Sequence, residues 1–235
     1  MLLLASQSPR RRELLALLGM PFEVTSPNVV EDALPNEPPA ALVARLSQAK
    51  AHAACAEPDS HTSHPGPLIV ACDTVVALDG EILGKPRDPT EAEAMLRRLC
   101  GRSHTVYSAV TVLEHTTGRT TTEIAETRLT MRPYTDAEIA SYVASGDPLD
   151  KAGAYAIQHP GFHPVATYQG CYANVMGLPL CHLIRSLRAF TRSRHASRTG
   201  AGMEAAKDLP TACQSHTGRH CAVYAAILQS PMNDK

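Results

Sequence analysis

A chain of 235 residues, 44% of them hydrophobic, with a formal charge of −1 can bury one sizeable α/β core, and its near-neutral balance excludes a broad basic surface for nucleic acid. Seven cysteines without a C-x-x-C pair argue against a disulfide framework and for thiols kept reduced. No apolar run approaches the ~18 residues of a membrane span, and residues 1–5 are too short for a signal-peptide core, so a soluble, cytoplasmic protein is expected.

Leu2–Ala5 is a short apolar run suited to a buried strand, and the chain then opens directly into a helix. Ser8 suits the N-cap, Pro9 the first helical position, and Gly19 the stop beyond the periodic leucines. The first-turn amides have no intrahelical partner and carry the positive end of the helix dipole. Arg10, Arg11 and Arg12 add three guanidiniums there, a cost to the helix alone that a polyanion would reverse. A phosphate site at this turn stands beside the plainer alternative of a basic surface helix.

Residues 22–24 and Val29-Val30 are expected to form a strand and its continuation, leading to Glu31-Asp32, where two carboxylates could hold a metal or simply face solvent. Pro38-Pro39 starts a helix to about residue 54, with Leu42, Leu46, Ala49 and Ala53 on one face and Lys50 beside it. Residues 55–67 look like a polar loop. Residues 68–72 form a continuous apolar run, as expected of a strand buried on both faces, and deliver Asp73 at its carboxyl end, where ligands of open α/β sheets bind.

Asp79-Gly80 between apolar runs predicts a two-residue hairpin pairing Leu78 with Glu81. That register sets Thr74 opposite Lys85 and brings Asp73 beside Lys85 along the ladder. A regular ladder would put the two on opposite faces, so a strand end or bulge must turn one of them; a plain surface ion pair is the alternative. Asp88-Pro89-Thr90-Glu91 starts a scaffold helix with Ala92, Met95, Leu96 and Leu99 on its inner face. Residues 105–113 and Thr120–Met131 should form a β-hairpin, and Thr135-Asp136-Ala137-Glu138 caps a helix ended by Gly146. After Leu149-Asp150-Lys151, small residues allow close backbone approach, and a strand-like run delivers Gln158. A last helix runs through about Phe190.

Five motifs stand in order: Ser6-x-Ser-Pro-Arg-Arg, Asp73-Thr-Val-Val, Gly84-Lys-Pro-Arg-Asp, Leu149-Asp-Lys-Ala-Gly-Ala-Tyr-x-Ile-Gln and Asn174-Val-x-Gly-Leu-Pro-Leu. Together they resemble the Maf family of nucleoside triphosphate pyrophosphatases over roughly residues 1–190. The resemblance implies an α/β fold with a mixed twisted sheet, flanking helices and two lobes around a central nucleotide-binding cleft. It also implies a homodimer and catalysis with Mg²⁺ or Mn²⁺. Carried onto this chain, Ser6, Arg10, Arg11, Lys50 and Lys85 would bind the triphosphate and Asp73 would accept a proton. Physically, Asp73 could equally be a metal ligand alongside Glu31. Arg10, Thr74 and Gln158 resemble the dTTP/UTP branch rather than the 7-methyl-GTP branch. The expected reaction yields a nucleoside monophosphate and pyrophosphate; 7-methyl-GTP hydrolysis, release of orthophosphate, and a non-catalytic regulator of cell division are the alternatives.

His159 departs from the glycine usual after the glutamine, and residues 191–235 lie outside the resemblance. That tail is rich in Ser, Thr and Gly with little periodicity, and is expected to be disordered or loosely docked. Cys213, His216, His220 and Cys221 have metal-like local spacing but no evident scaffold.

Overall fold

The computed structural model describes residues 1–56, 66–192 and 209–230. A mixed seven-stranded sheet forms its centre, with strands in the order β2-β1-β3-β5-β6-β7 and β4 pairing off β3. The strands are β1 (Leu2–Ala5), β2 (Phe22–Thr25), β3 (Leu68–Leu78), β4 (Glu81–Leu83), β5 (Ser103–Glu114), β6 (Thr120–Met131) and β7 (Val165–Gln169). β1 runs parallel to β2 and β3, and the remaining pairs are antiparallel. Helices α1 (Pro9–Ala16), α2 (Pro39–Ala56), α3 (Pro89–Leu99), α4 (Asp136–Ala144), α5 (Tyr172–Val175) and α6 (Leu180–Arg192) cover the sheet.

Alternation in the central strands explains why both faces must be covered. Leu2, Leu4, Val70 and Cys72 join the large core with α1, α3, α4 and α6. Their neighbours Leu3, Ala5, Ile69 and Ala71 point the other way, against Ala51 and Ala54 of α2. Further along α2, Leu42, Val43 and Leu46 pack on Val75 and Ala109. The stripe α2 buries is therefore Leu42, Val43, Leu46, Ser47, Lys50, Ala51 and Ala54, which brings Lys50 onto the sheet and leaves the expected Ala49 and Ala53 at its margin.

The β3–β4 hairpin pairs Leu78 with Glu81 as the Asp-Gly turn predicts, and both turn residues have positive φ. The ladder ends at Val76 and Leu83, so Thr74 does not face Lys85; along its other edge β3 pairs with β5 from Leu68 to Ala77, Asp73 opposite Ala109 and Thr74 opposite Ser108. The caps of α3 and α4 form as expected: Asp88 accepts from the Glu91 amide, and Thr135 and Glu138 close a reciprocal capping box.

Two expected strands are absent, and one unexpected strand is present. Residues 26–34 have no strand after β2, and Val30 is exposed; two valines have no partner strand to bury them. The Tyr155–Ile157 run is a turn, because Ala156 and His159 close on each other. A strand occurs instead at Val165–Gln169, on the edge of the sheet beside β6.

Two short helices of the C-terminal stretch, α7 (Leu209–Thr217) and α8 (Tyr224–Gln229), sit on the domain. Leu209 is fully buried in the main core, with Cys213, Val223 and Leu228 packed against it, and Arg185, paired with Glu123, also donates to the Ile227 carbonyl. Of the polar loop expected at 55–67, residues 57–65 lie outside the described residues, as do residues 193–208 and 231–235 of the tail. All seven cysteines are free thiols. Burial pushes Cys171 and Cys181 up to about 12 and Cys213 to about 11.

Candidate active site

A cleft of about 710 Å³ opens beyond the carboxyl end of β1 and along the middle of β3 at Asp73–Val76, in the size range of small-molecule sites. Asp73 stands mid-strand and not at the strand end expected for it, because β3 runs on to Leu78. Its floor begins where β1 ends. Ser6 is buried, and its Oγ accepts from the Ser8 amide (3.3 Å) and from Arg11 Nη1 (3.3 Å). Ser8 occupies the N-cap position but makes no side-chain cap bond, so the first-turn amides of α1 keep their capacity to bind an anion.

The three arginines of that turn separate. Arg11 turns inward and is held on three sides: Nη1 to Ser6, Nε to the Gly177 carbonyl (2.9 Å) and Nη2 to Thr74 Oγ1 (3.2 Å). Thr74 Oγ1 in turn shares a 2.8 Å bond with Ser108 Oγ, which donates to the Asn174 carbonyl. Asn174 Nδ2 is fixed by Val106 O and Thr127 Oγ1. Gly177 has φ +106, a conformation that L side chains rarely adopt, so glycine lets the turn present its carbonyl to Arg11. Arg10 lines the cleft with Nη1 3.6 Å from Asp150. Arg12 points away, donating to the Gln7 carbonyl in an exposed position, and the expectation of three converging guanidiniums is corrected to two.

Opposite this floor, Lys50 Nζ lies 2.6 Å from Asp73 Oδ1 and 2.6 Å from Glu31 Oε1. Asp73 is 6% exposed and Lys50 9%, so this is a nearly dry ion pair with a half-exposed third member. Burial alone would push Glu31 up, but the Lys50 hydrogen bond and charge, joined by Lys85 and Arg11, hold it below the usual carboxylate range. The expected Asp73–Lys85 contact is replaced by Asp73–Lys50. Lys85 follows β4 in an exposed loop, lines the same cleft and acts on Glu31 through its charge.

The far wall is residues 150–158. Lys151 is buried and saturated by three acceptors: Asp147 O at 2.6 Å, Asp147 Oδ1 at 2.9 Å and Asp150 Oδ1 at 2.6 Å. It thereby fixes the carboxylate that faces Arg10. The short Ala152–Ala154 turn comes so close to β3 that a Cβ on Gly153 would meet Val76 Cγ2 at 3.0 Å, the close approach that small residues permit. Gln158 is exposed on the cleft wall. The supporting roles of Lys151, Ser108 and Asn174 are not separable by residue type from ordinary polar positions; membership in the ordered motifs marks Lys151 and Asn174, and nothing in the sequence marks Ser108.

Among the described residues, no three His, Cys, Asp or Glu side chains are placed to hold a metal ion, Cys213, His216, His220 and Cys221 included. Glu31 and Asp73 remain as a pair of carboxylates converging on one cation. No helix of the described residues is long and apolar enough to cross a membrane.

Fold and site together define a mixed-sheet α/β protein whose central cleft is lined by a helix N-terminus, Arg10, Arg11, Lys50 and Lys85. The chain belongs to the Maf family: the family model described as Maf-like protein matches residues 1–190. It is 48% identical over 189 residues to a protein of Salinibacter ruber named dTTP/UTP pyrophosphatase, covering 80% of this chain and 90% of that one. Proteins of the same name from Myxococcus xanthus (48% over 181 residues, 77% and 87% covered) and Moorella thermoacetica (45% over 189 residues, 80% and 94% covered) are similarly close.

Proposed function

We propose that this protein is a nucleoside triphosphate pyrophosphatase that hydrolyses dTTP and UTP to the monophosphate and pyrophosphate. The observation that carries it is the buried Lys50–Asp73 pair with Glu31, facing an arginine-bearing helix N-terminus across one cleft. The relatives' shared name supplies the substrate.

Water attacks the α-phosphorus, its proton passes to Asp73, and the bond from the α-phosphorus to the bridging oxygen breaks, leaving the electron pair on pyrophosphate. Lys50 fixes Asp73 Oδ1 for that transfer. Arg11, Arg10, Lys85 and the α1 amides hold the polyphosphate and stabilise charge as it moves onto the leaving group, and the Ser6 hydroxyl donates to a phosphate oxygen. Glu31 and Asp73 suit a Mg²⁺ or Mn²⁺ ion, which commonly takes one or two protein carboxylates and completes its shell with water and phosphate. When bound, the ion supplies charge neutralisation at the triphosphate. The enzyme works as a cytoplasmic homodimer, a proposal that rests on the family resemblance and is tested by light scattering and cell fractionation.

Gln158 selects the base. Uracil and thymine present an N3–H donor flanked by carbonyl acceptors, which one carboxamide meets with an acceptor and a donor side by side. Guanine presents two adjacent donors, which suit a carboxylate instead. The test is incubation of the purified protein with Mg²⁺ and a panel of nucleotides, assaying pyrophosphate and orthophosphate separately. Pyrophosphate from dTTP and UTP ahead of 7-methyl-GTP is expected. Orthophosphate would make it a phosphatase, and neither product would leave a nucleotide-binding regulator.

A further inference from the structure

We infer that His159 is a specificity-positioning residue, which fixes the turn carrying Gln158 so that its carboxamide is presented to the base. The inference rests on the base-reading role of Gln158 proposed above and extends it to a residue that does not touch substrate.

Gln158 is exposed and lies on a tight turn between Ala156 and His159. Left to itself, such a side chain would sample many orientations and discriminate poorly, because ordering it on binding costs free energy. The turn, however, is pinned at both ends. At the front, the Ala156 amide donates to Tyr142 Oη (3.0 Å), and Tyr142 Oη donates to Asp147 Oδ2 (2.6 Å). At the back, the His159 amide donates to the Ala156 carbonyl (3.3 Å), closing the turn.

The His159 ring then binds the chain that follows. Nδ1 accepts from the Phe162 amide (2.9 Å) and the Gly161 amide (3.2 Å). Both bonds require a lone pair on Nδ1, so the ring is held as the Nε2–H tautomer. The same ring packs edge-on against Tyr142 at 4.7 Å between centroids, while Phe162 stacks on Tyr142 at 4.4 Å and 17°. Arg132 completes the clamp by donating to the Phe162 carbonyl (2.6 Å) and the His163 carbonyl (2.9 Å). One imidazole thus joins the two sides of the loop: backbone amides of 161 and 162 on one side, and the Tyr142 ring that anchors Ala156 on the other. A glycine at 159 would leave both amides without this acceptor and widen the conformations open to Gln158.

The experiment compares wild type, His159→Ala and His159→Asn in steady-state hydrolysis of dTTP and CTP, with Tm measured for each. Asn keeps a side-chain acceptor two bonds from Cβ for the following amides but removes the ring contact with Tyr142. In His159→Ala the dTTP over CTP preference should fall about tenfold, through a raised KM for dTTP with kcat little changed, as expected when a positioned contact to a non-reacting group is lost. His159→Asn should return that preference to within about threefold of wild type. An unchanged preference in the Ala variant, or equal loss for both nucleotides, would make His159 purely structural and overturn the inference. If the Ala variant fails to fold, His159→Gly, which places the family's usual residue there, is read in its stead: a dTTP over CTP preference about tenfold lower supports the role, and an unchanged preference refutes it. A wild type that does not prefer dTTP to CTP refutes the base-reading role of Gln158 itself, a separate result from any change between variants.

Discussion

Replacing Lys50 with methionine tests whether the ion pair under the cleft is a structural keystone as well as a phosphate contact. Methionine keeps most of the apolar stem of Lys50, which α2 buries against the sheet, so the change reports chiefly on the ammonium. That group makes two charge-assisted hydrogen bonds, to Asp73 and Glu31, at 2.6 Å each. Glu31 has half its side chain in solvent (52%) and rehydrates when released, so its share is discounted to near zero. Asp73, at 6% exposure, cannot rehydrate, and removing one partner of a buried pair typically costs about 3–5 kcal/mol. Lys50→Met should therefore lose about 3–5 kcal/mol in urea unfolding at pH 7, followed by circular dichroism, with an unchanged m-value. Adding Asp73→Asn removes the stranded charge and should restore about 2 kcal/mol, leaving an amide that still lacks a full set of partners. A loss under about 1 kcal/mol in the single variant, or a double variant no more stable than the single, would show that Asp73 is not a dry charge dependent on Lys50.

Asp73→Asn alone should lower turnover by about 10² to 10⁴ while nucleotide binding, measured by calorimetry, persists; near wild-type kcat would remove Asp73 from the chemistry. Gln158→Glu should move preference from dTTP towards guanine nucleotides by about one to two decades, since an unpaired buried polar group costs about 1–3 kcal/mol; equal losses for all nucleotides would disprove base reading. Acid should destabilise the fold through depressed carboxylates: Glu138 is held down to about 2 by its hydrogen bond from Arg132, with the Thr135 amide adding to it. A folded value below the unfolded one gives stability that is present above about 4.5 and lost as pH falls towards 2, so Glu138→Gln should flatten the Tm profile between pH 5 and 3. Truncation after Arg192 uncovers the pocket of the fully buried Leu209, worth about 1.5–3 kcal/mol, and should lower Tm by about 3–12 °C. Because no residue of 209–230 lines the cleft, kcat should be unaffected, and a Tm shift under 2 °C would mean that the helices dock only marginally.

Elements with local signals were legible; those defined by distant partners were not. The Asp79-Gly80 turn, the Asp88 and Thr135 caps and the apolar run of β3 each carry their conformation in neighbouring residues, and all form as predicted. β7 carries no such signal. Val165–Gln169 is mostly exposed and is a strand only because β6 offers it an edge. β6 itself hides its alternation: Glu123 and Thr127 occupy buried positions while Ile124 is exposed. The reversal makes sense once partners are known, since Arg185 neutralises Glu123, and Thr127 Oγ1 serves the Cys171 carbonyl and the Asn174 amide.

The same distinction governs the cleft. The ordered motifs, with the resemblance adding Lys50, were enough to place Ser6, Arg10, Arg11, Lys50, Asp73, Lys85 and Gln158 on one cleft, but not to say which would touch. Register arithmetic in a two-stranded hairpin gave Lys85 to Asp73, and it failed because β4 ends at Leu83, two residues short of Lys85, so the ladder stops at Val76. Once β3 lies between β1 and β5, the face of Asp73 is the face that α2 covers, and a helix that buries Leu46 and Ser47 one turn earlier must also bury position 50. A lysine there cannot be left unpaired, so the acid in the middle of β3 becomes its partner. The packing of an apolar helix, more than any pairing of charges in sequence, thus decides which cation stands beside the carboxylate and leaves Lys85 free of it at the mouth of the cleft.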